Sequence, residues 1–127
     1  MKDVSILENN GVDLNSALEL LGDLSFYDET LEAFLEENKT RVPNIEKYKN
    51  EQNMEDYAIL VHALKSDSKY LGFTDLADIA YEHEMASKAN NIDEVNKKYN
   101  KLVKEIEKYT DLAHKYLGKE ENEWKKY

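Results

Sequence analysis

Residues 53–72 read NMEDYAILVHALKSDSKYLG. Wound as an α-helix, Tyr57, Leu60, Val61, Leu64, Ser68 and Leu71 gather on about one third of the circumference, the pattern of a helix with one face in a core. Asn53 is a good N-cap residue and Gly72 a good terminator, so the run predicts a helix from 54 to about 71. His62 points away from the centre of the apolar stripe by nearly half a turn, which predicts an exposed imidazole.

Working outward, the same periodicity recurs. Downstream, a helix capped by Thr74 is expected to end near Asn90-Asn91. The next begins at Ile92-Asp93-Glu94, with acids in the first turn as the helix dipole prefers. It runs to about Leu117 on an apolar stripe of Tyr99, Leu102, Val103, Ile106, Tyr109, Leu112, Ala113 and Tyr116, and Gly118 stops it. Upstream, Ser25 is the expected start of a helix carrying Tyr27, Leu31, Phe34 and Leu35. Pro43 predicts a kink in its continuation, because proline removes one backbone hydrogen bond, and Val42, Ile45 and Tyr48 resume the apolar face beyond it. A short helix precedes these, capped by Asp13, with Leu14, Ala17, Leu18 and Leu21 on one side and Gly22 at its end. Four long amphipathic helices joined by short breaks predict an all-α chain, an antiparallel four-helix bundle with an additional short N-terminal helix. One domain is expected over residues 1–127, with a core of about 4–117 and a charged tail over 118–127.

The composition narrows the function. The 127 residues include no cysteine, one proline and four glycines, and the formal net charge is −10. Disulfide scaffolds, thiol nucleophiles and cysteine-based zinc sites are excluded. The negative field argues against nucleic-acid or anionic-membrane partners. No apolar run approaches the roughly 18 residues of a membrane span, and the first residues lack a signal-peptide core. A cytoplasmic monomer is the expectation.

The surroundings of His62 suit phosphoryl chemistry. Neighbours three and four residues away on a helix are Ala58, Ile59, Lys65 and Ser66. Ala58 and Ser66 are small and leave the imidazole open, and Ile59 is apolar yet off the core stripe. Lys65 and Lys69 place two cations beside the imidazole in an acidic chain. A phosphorylated imidazole carries roughly two negative charges near neutral pH, and a cation one turn away stabilises it and its transition state. Taken alone, an exposed histidine with lysine neighbours is more often an ordinary solvated surface.

The run His62-Ala63-Leu64-Lys65-Ser66-Asp67-Ser68-Lys69-Tyr70-Leu71-Gly72 resembles the signature of histidine-containing phosphotransfer (HPt) domains: histidine, leucine and lysine at these spacings, with Leu-Gly closing the helix. Leu76-Ala77, Ala80 and Glu84 follow the family pattern for the next helix, and Asn90-Asn91-Ile92-Asp93 stands where the family has a short break. Gly11-Val12-Asp13-Leu14, Ala17-Leu18 and Gly22-Asp23 resemble its opening, so the likeness covers about residues 4 to 117. The resemblance implies a four-helix bundle, phosphorylation of His62 on Nε2, and exchange of the phosphoryl group with an aspartate of a response-regulator receiver domain. It implies Lys65 as the cation at the phosphoryl group and Glu84 as a residue that orients the imidazole. The partners would be receiver domains, with a hybrid histidine kinase as a further one. The chain would bind no cofactor, Mg²⁺ being held by the receiver.

Two positions depart from the family. Ser66 replaces the usual glycine, and its hydroxyl is available to the phosphoryl oxygens. His83 occupies a position that is usually apolar, and its phase predicts a partly buried, hydrogen-bonded ring. Docking is expected around Ala58, Ile59 and Lys69, with Val12 and Leu14 serving either docking or the core. Two rivals stand beside this reading. One is a helical scaffold or adaptor that binds a receiver or another signalling partner without being phosphorylated. The other is a metal bundle using Glu82, His83, Glu84, Glu36, Glu37 and His114, disfavoured because no glutamate precedes a histidine by three residues. With no nucleotide-binding glycine loop, the chain is expected to carry phosphate and not to be a kinase.

Overall fold

The computed structural model describes residues 2–118. Among these, six helices follow one another: α1 (Ser5–Glu8), α2 (Leu14–Leu21), α3 (Leu24–Asn50), α4 (Met54–Tyr70), α5 (Thr74–Lys88) and α6 (Ile92–Leu117). The fold is all-α. The expected charged tail lies outside the described residues from 119 onward.

Cross-helix contacts give the arrangement. Arg41 Nη1 meets Asp67 Oδ2 at 2.8 Å and the Tyr27 hydroxyl donates to the Leu71 carbonyl at 2.8 Å, joining α3 to α4. His62 reaches Glu84 and Lys65 lies over the Tyr81 ring, joining α4 to α5. Glu82 pairs with Lys98 and Asp75 with Lys108, joining α5 to α6. Tyr116 donates to Asp28 at 2.6 Å, and Lys49 lies over the Tyr99 ring, returning α6 to α3. Within each pair, the contact further along one helix lies further back along the other, so the four long helices run antiparallel around a closed ring.

The three connections in that ring are as short as helix termination permits. Each of α3, α4 and α5 ends with one residue at positive φ, namely Gln52, Gly72 and Asn90, and the next residue is already the N-cap of the following helix. At the end of α4 the Phe73 N–H bonds the Ser68 carbonyl at 2.8 Å and the Gly72 N–H bonds the Lys69 carbonyl at 3.2 Å, the paired bonds that use up the last carbonyls of a helix. Asn53 and Asn91 then cap α4 and α6 through side-chain oxygens.

Phe73 marks the centre. Its ring stacks on Tyr109 with centroids 4.5 Å apart and meets Phe34 edge-on at 5.6 Å. The stripe expected on α6 is buried at Leu102, Ile106, Tyr109, Leu112, Ala113 and Tyr116, while Tyr99 and Val103 sit at its margin.

Several local expectations need correction. The one-turn helix α1 has no counterpart among the expected helices, since a single turn is too short to display a period. Helix α3 starts at Leu24 with Asp23 as its cap, accepting from the Phe26 N–H at 2.8 Å, and Ser25 falls inside the first turn. Thr74 is the first helical residue of α5, and Phe73 is the N-cap without a side-chain cap bond; burying its ring between Phe34 and Tyr109 outweighs capping. As expected, on the other hand, helix α3 continues through Pro43, which faces solvent, and the buried side resumes at Ile45. Val12 and Leu14, for which docking and core were both open, are 6% and 5% exposed: they belong to the core, Val12 forming an isolated bridge with Phe73. A side chain packed under α2 is not available to a partner.

Candidate functional site

The site is built on the α4–α5 hairpin. The tight turn through Gly72 fixes the register of the two helices, and that register puts Glu84 opposite both His62 and Lys65. The His62 side chain is 56% exposed, whereas that of Glu84 is 3% exposed. The Glu84 carboxylate is gripped from three directions. His62 Nδ1 lies 2.8 Å from Oε2, Lys88 Nζ lies 2.7 Å from the same oxygen, and Lys65 Nζ lies 2.7 Å from Oε1. Burial alone would raise the Glu84 carboxyl, but the hydrogen bonds from Lys65, Lys88 and His62 outweigh it and hold the group down at about 2. Glu84 is therefore a carboxylate at neutral pH and can only accept.

That fixes the imidazole. If Oε2 accepts, Nδ1 carries the proton, and in the neutral ring the lone pair is on Nε2. A carboxylate holding the second nitrogen of a functional histidine is a recurrent way to set tautomer and ring orientation. The arrangement yields a nucleophilic nitrogen on an exposed ring, next to two ammonium groups.

The other residues singled out in the sequence are placed as follows. Lys65 is largely covered, wedged between Glu84 and the Tyr81 ring, 5.4 Å from its centroid. Ser66 is half-buried one turn after His62. Lys69 is exposed, and two turns of helix put it about 10 Å along the axis from His62. Ile59 is 61% exposed, while Ala58 is buried and forms part of the floor of a concavity of about 700 Å³ beside His62, together with Met54, Ile59, Ser87 and Lys88. Tyr81 and Met85 on α5 add exposed apolar surface near the same hairpin. Lys88 is a site residue that the sequence reading does not single out. Its signal is there, since it follows Glu84 by four residues and so shares a helix face with it, but a lysine near a helix end has an ordinary explanation in the helix dipole.

His83, next in sequence to Glu84, faces the opposite way and is 1% exposed. Its Nε2 is 3.0 Å from the Lys98 carbonyl, which only accepts, so Nε2 carries the proton and Nδ1 accepts from the Tyr57 hydroxyl at 2.8 Å. This ring ties α4, α5 and α6 together as a neutral group. Burial pushes its imidazole below the ordinary histidine range, with the Lys98 carbonyl and the Glu82 carboxylate offsetting only part of the effect. The unfolded chain then binds a proton at His83 more readily than the folded one. Stability from this residue is present above the ordinary histidine range and is lost as pH falls through it. Comparing unfolding free energies of the wild type and His83→Gln between pH ~7.5 and ~5.5 should show an extra loss in the wild type, bounded at about 1.4 kcal/mol per pH unit for one proton. Equal slopes would refute it. Glu84 acts in a separate, lower window, as pH falls from the ordinary carboxylate range toward about 2.

Among the described residues there is no group of three or more His, Asp or Glu that could hold a metal ion, and no helix long and apolar enough to cross a membrane. Glu82, His83 and Glu84 point in three directions, toward Lys98, Tyr57 and His62.

Comparison with known proteins gives one result. No curated protein and no solved structure matches the chain significantly. A family model, the Hpt domain, matches residues 29–114. The matched segment is shorter at its start than the resemblance noted in the sequence, leaving out α1 and α2. It contains the whole α4–α5 hairpin, and with it His62, Lys65, Glu84 and Lys88. A match over most of the chain, on a helical bundle that presents an exposed, carboxylate-held histidine, means that the protein belongs to the Hpt domain family.

Proposed function

We propose that the chain is a phosphocarrier that takes a phosphoryl group onto Nε2 of His62 from an aspartyl phosphate of a receiver domain and passes it to another. Hpt domains are phosphotransfer modules of phosphorelay signalling, they interact with receiver domains, and they are not kinases. The observation that carries the assignment to His62 is the Glu84 contact, which in the neutral ring draws the proton to Nδ1 and so puts the lone pair on Nε2 of an exposed ring. In the transfer the Nε2 lone pair attacks phosphorus, the bond to the aspartate oxygen breaks, and the carboxylate leaves with the electron pair. The Nδ1 proton stays between the ring and Glu84, whose low pKa keeps it from taking that proton. Reversal needs no rearrangement of protons.

In this reading the receiver brings the Mg²⁺, and this chain binds no cofactor. Lys65, from its seat on Glu84, supplies positive charge beside the transferring group, and the Ser66 hydroxyl faces it. Ile59 and the concavity above Ala58, with Lys69 at the far end, form the docking face. The chain acts as a monomer in the cytoplasm, with receiver domains or a hybrid histidine kinase as partners. The experiment is phosphotransfer: purified chain is mixed with phosphorylated receivers, and acid-labile, base-stable phosphate is followed and mapped by mass spectrometry. Transfer within minutes to the peptide holding His62 is expected. No transfer from any receiver of the source organism would leave the reading without support.

A further inference from the structure

The two ammonium groups on Glu84 are not equivalent. Lys65 is 15% exposed and is held on both sides, by Glu84 Oε1 and by the Tyr81 ring. The Lys88 side chain is 57% exposed and has one partner, Glu84 Oε2, in an i,i+4 pair on the surface of α5. The carboxylate of this pair is buried and keeps Lys65 and His62 if Lys88 leaves, whereas the ammonium lies at the surface and is free to turn toward another acceptor. Lys88 shares that oxygen with His62 Nδ1, so its ammonium and the imidazole are neighbours across a single atom. Both residues also line the concavity that opens beside His62.

Charge makes the difference matter. Lys65 alone neutralises Glu84, leaving an uncharged site on a chain of net charge −10. Lys88 is the surplus positive charge. A phosphoryl group bound to Nε2 puts roughly two negative charges on oxygens within reach of it, and the ring, which keeps its Nδ1 proton and so becomes cationic, offsets only one of them. For an exposed ammonium, moving to the phosphoryl oxygens exchanges one shared carboxylate oxygen for a more highly charged acceptor.

On the reading that His62 is the phosphoacceptor, we propose that Lys88 is a phosphoryl-binding residue that rests on Glu84 in the free protein and moves to the phosphoryl oxygens when the Nε2–P bond forms. Lys65 stays on Glu84. Glu84 Oε2 is then left to Nδ1–H alone, so the same movement that binds the phosphoryl group frees the carboxylate to hold the ring proton. Lys88 is thus a phosphoryl ligand from α5 that complements the lysine on α4.

The test uses the full chain and phosphoramidate, which phosphorylates histidine without any partner protein. Wild type, Lys88→Gln and Lys88→Arg are labelled, and the lifetime of the phosphohistidine and the rate of transfer from a phosphorylated receiver are measured. Lys88→Gln should shorten the lifetime and slow transfer several-fold, with Lys88→Arg restoring both. The ¹⁵N and ¹H resonances of the Lys88 ammonium should shift on phosphorylation, while those of the Lys65 ammonium change little. Lys88→Gln matching wild type in lifetime and rate, with the Lys88 resonances unmoved, would overturn the Lys88 assignment and leave His62 as phosphoacceptor. Failure of wild type to be labelled at His62 would overturn the phosphoacceptor reading and this one with it.

Discussion

His62→Gln is expected to lose acid-labile phosphorylation entirely, at least about a thousandfold below wild type, the scale on which removal of a covalent nucleophile acts. An amide nitrogen has no lone pair to offer phosphorus. Neither remaining histidine can replace it, since His83 and His114 are 1% and 7% exposed and His83 has both ring nitrogens bonded. The fold should be indifferent to the change. The His62 side chain is mostly in water, and Glu84 keeps its two lysines when the imidazole is gone. A glutamine amide can donate to the same carboxylate oxygen. The stability change is expected to stay within about 1 kcal/mol, as for other exposed positions. Circular dichroism and a thermal melt check the second half, and phosphate labelling the first. A folded His62→Gln protein that still takes up acid-labile phosphate would move the phosphoacceptor elsewhere.

Gly72→Ala is the change expected to cost the fold most for a single added methyl. Gly72 ends α4 at φ +77°, in the left-handed region where an alanine is strained by about 1–2 kcal/mol. Its carbonyl accepts from the Asp13 N–H at 2.9 Å, holding the start of α2 against the hairpin turn. A Cβ here would be driven into the Asp13 backbone carbonyl, well inside van der Waals contact. The backbone at both points is tied by hydrogen bonds, so the clash adds roughly 1–3 kcal/mol of overpacking. The sum is about 2–5 kcal/mol, a large share of the roughly 5–15 kcal/mol typical of a domain. Urea unfolding would measure it, and a loss below about 1 kcal/mol would contradict the account. Phosphotransfer should weaken as well, because the turn sets the register that brings Glu84 to His62.

Much of the site is legible in the residues alone. The 3.6-residue period sets the core face of α4, and the phase of His62 against it gives its exposure. The motif His62–Lys65 with Leu71-Gly72 marks the helix and its stop, and Glu84 is singled out only by the resemblance to HPt domains. What is not legible depends on neighbours far apart in sequence. Lys88 gains its meaning only when the hairpin register puts Glu84 against His62. Val12 and Leu14 are apolar in any reading, and only the packing of α2 on the bundle decides that they are covered. Thr74 has every local qualification for a cap and is displaced by the burial of Phe73, a tertiary interaction stronger than a capping bond.

The sequence by itself determined α2 and the four long helices to within a residue or two at their ends, because periodicity and left-handed stops are local physics that neighbouring residues decide among themselves. It also determined which histidine faces water. Only the tertiary structure decided how that histidine is poised. The buried Glu84 carboxylate, its two lysines and the proton it keeps on Nδ1 exist because α4 and α5 are held in one register, and that register is set by the turn at Gly72 and by core packing across all four long helices.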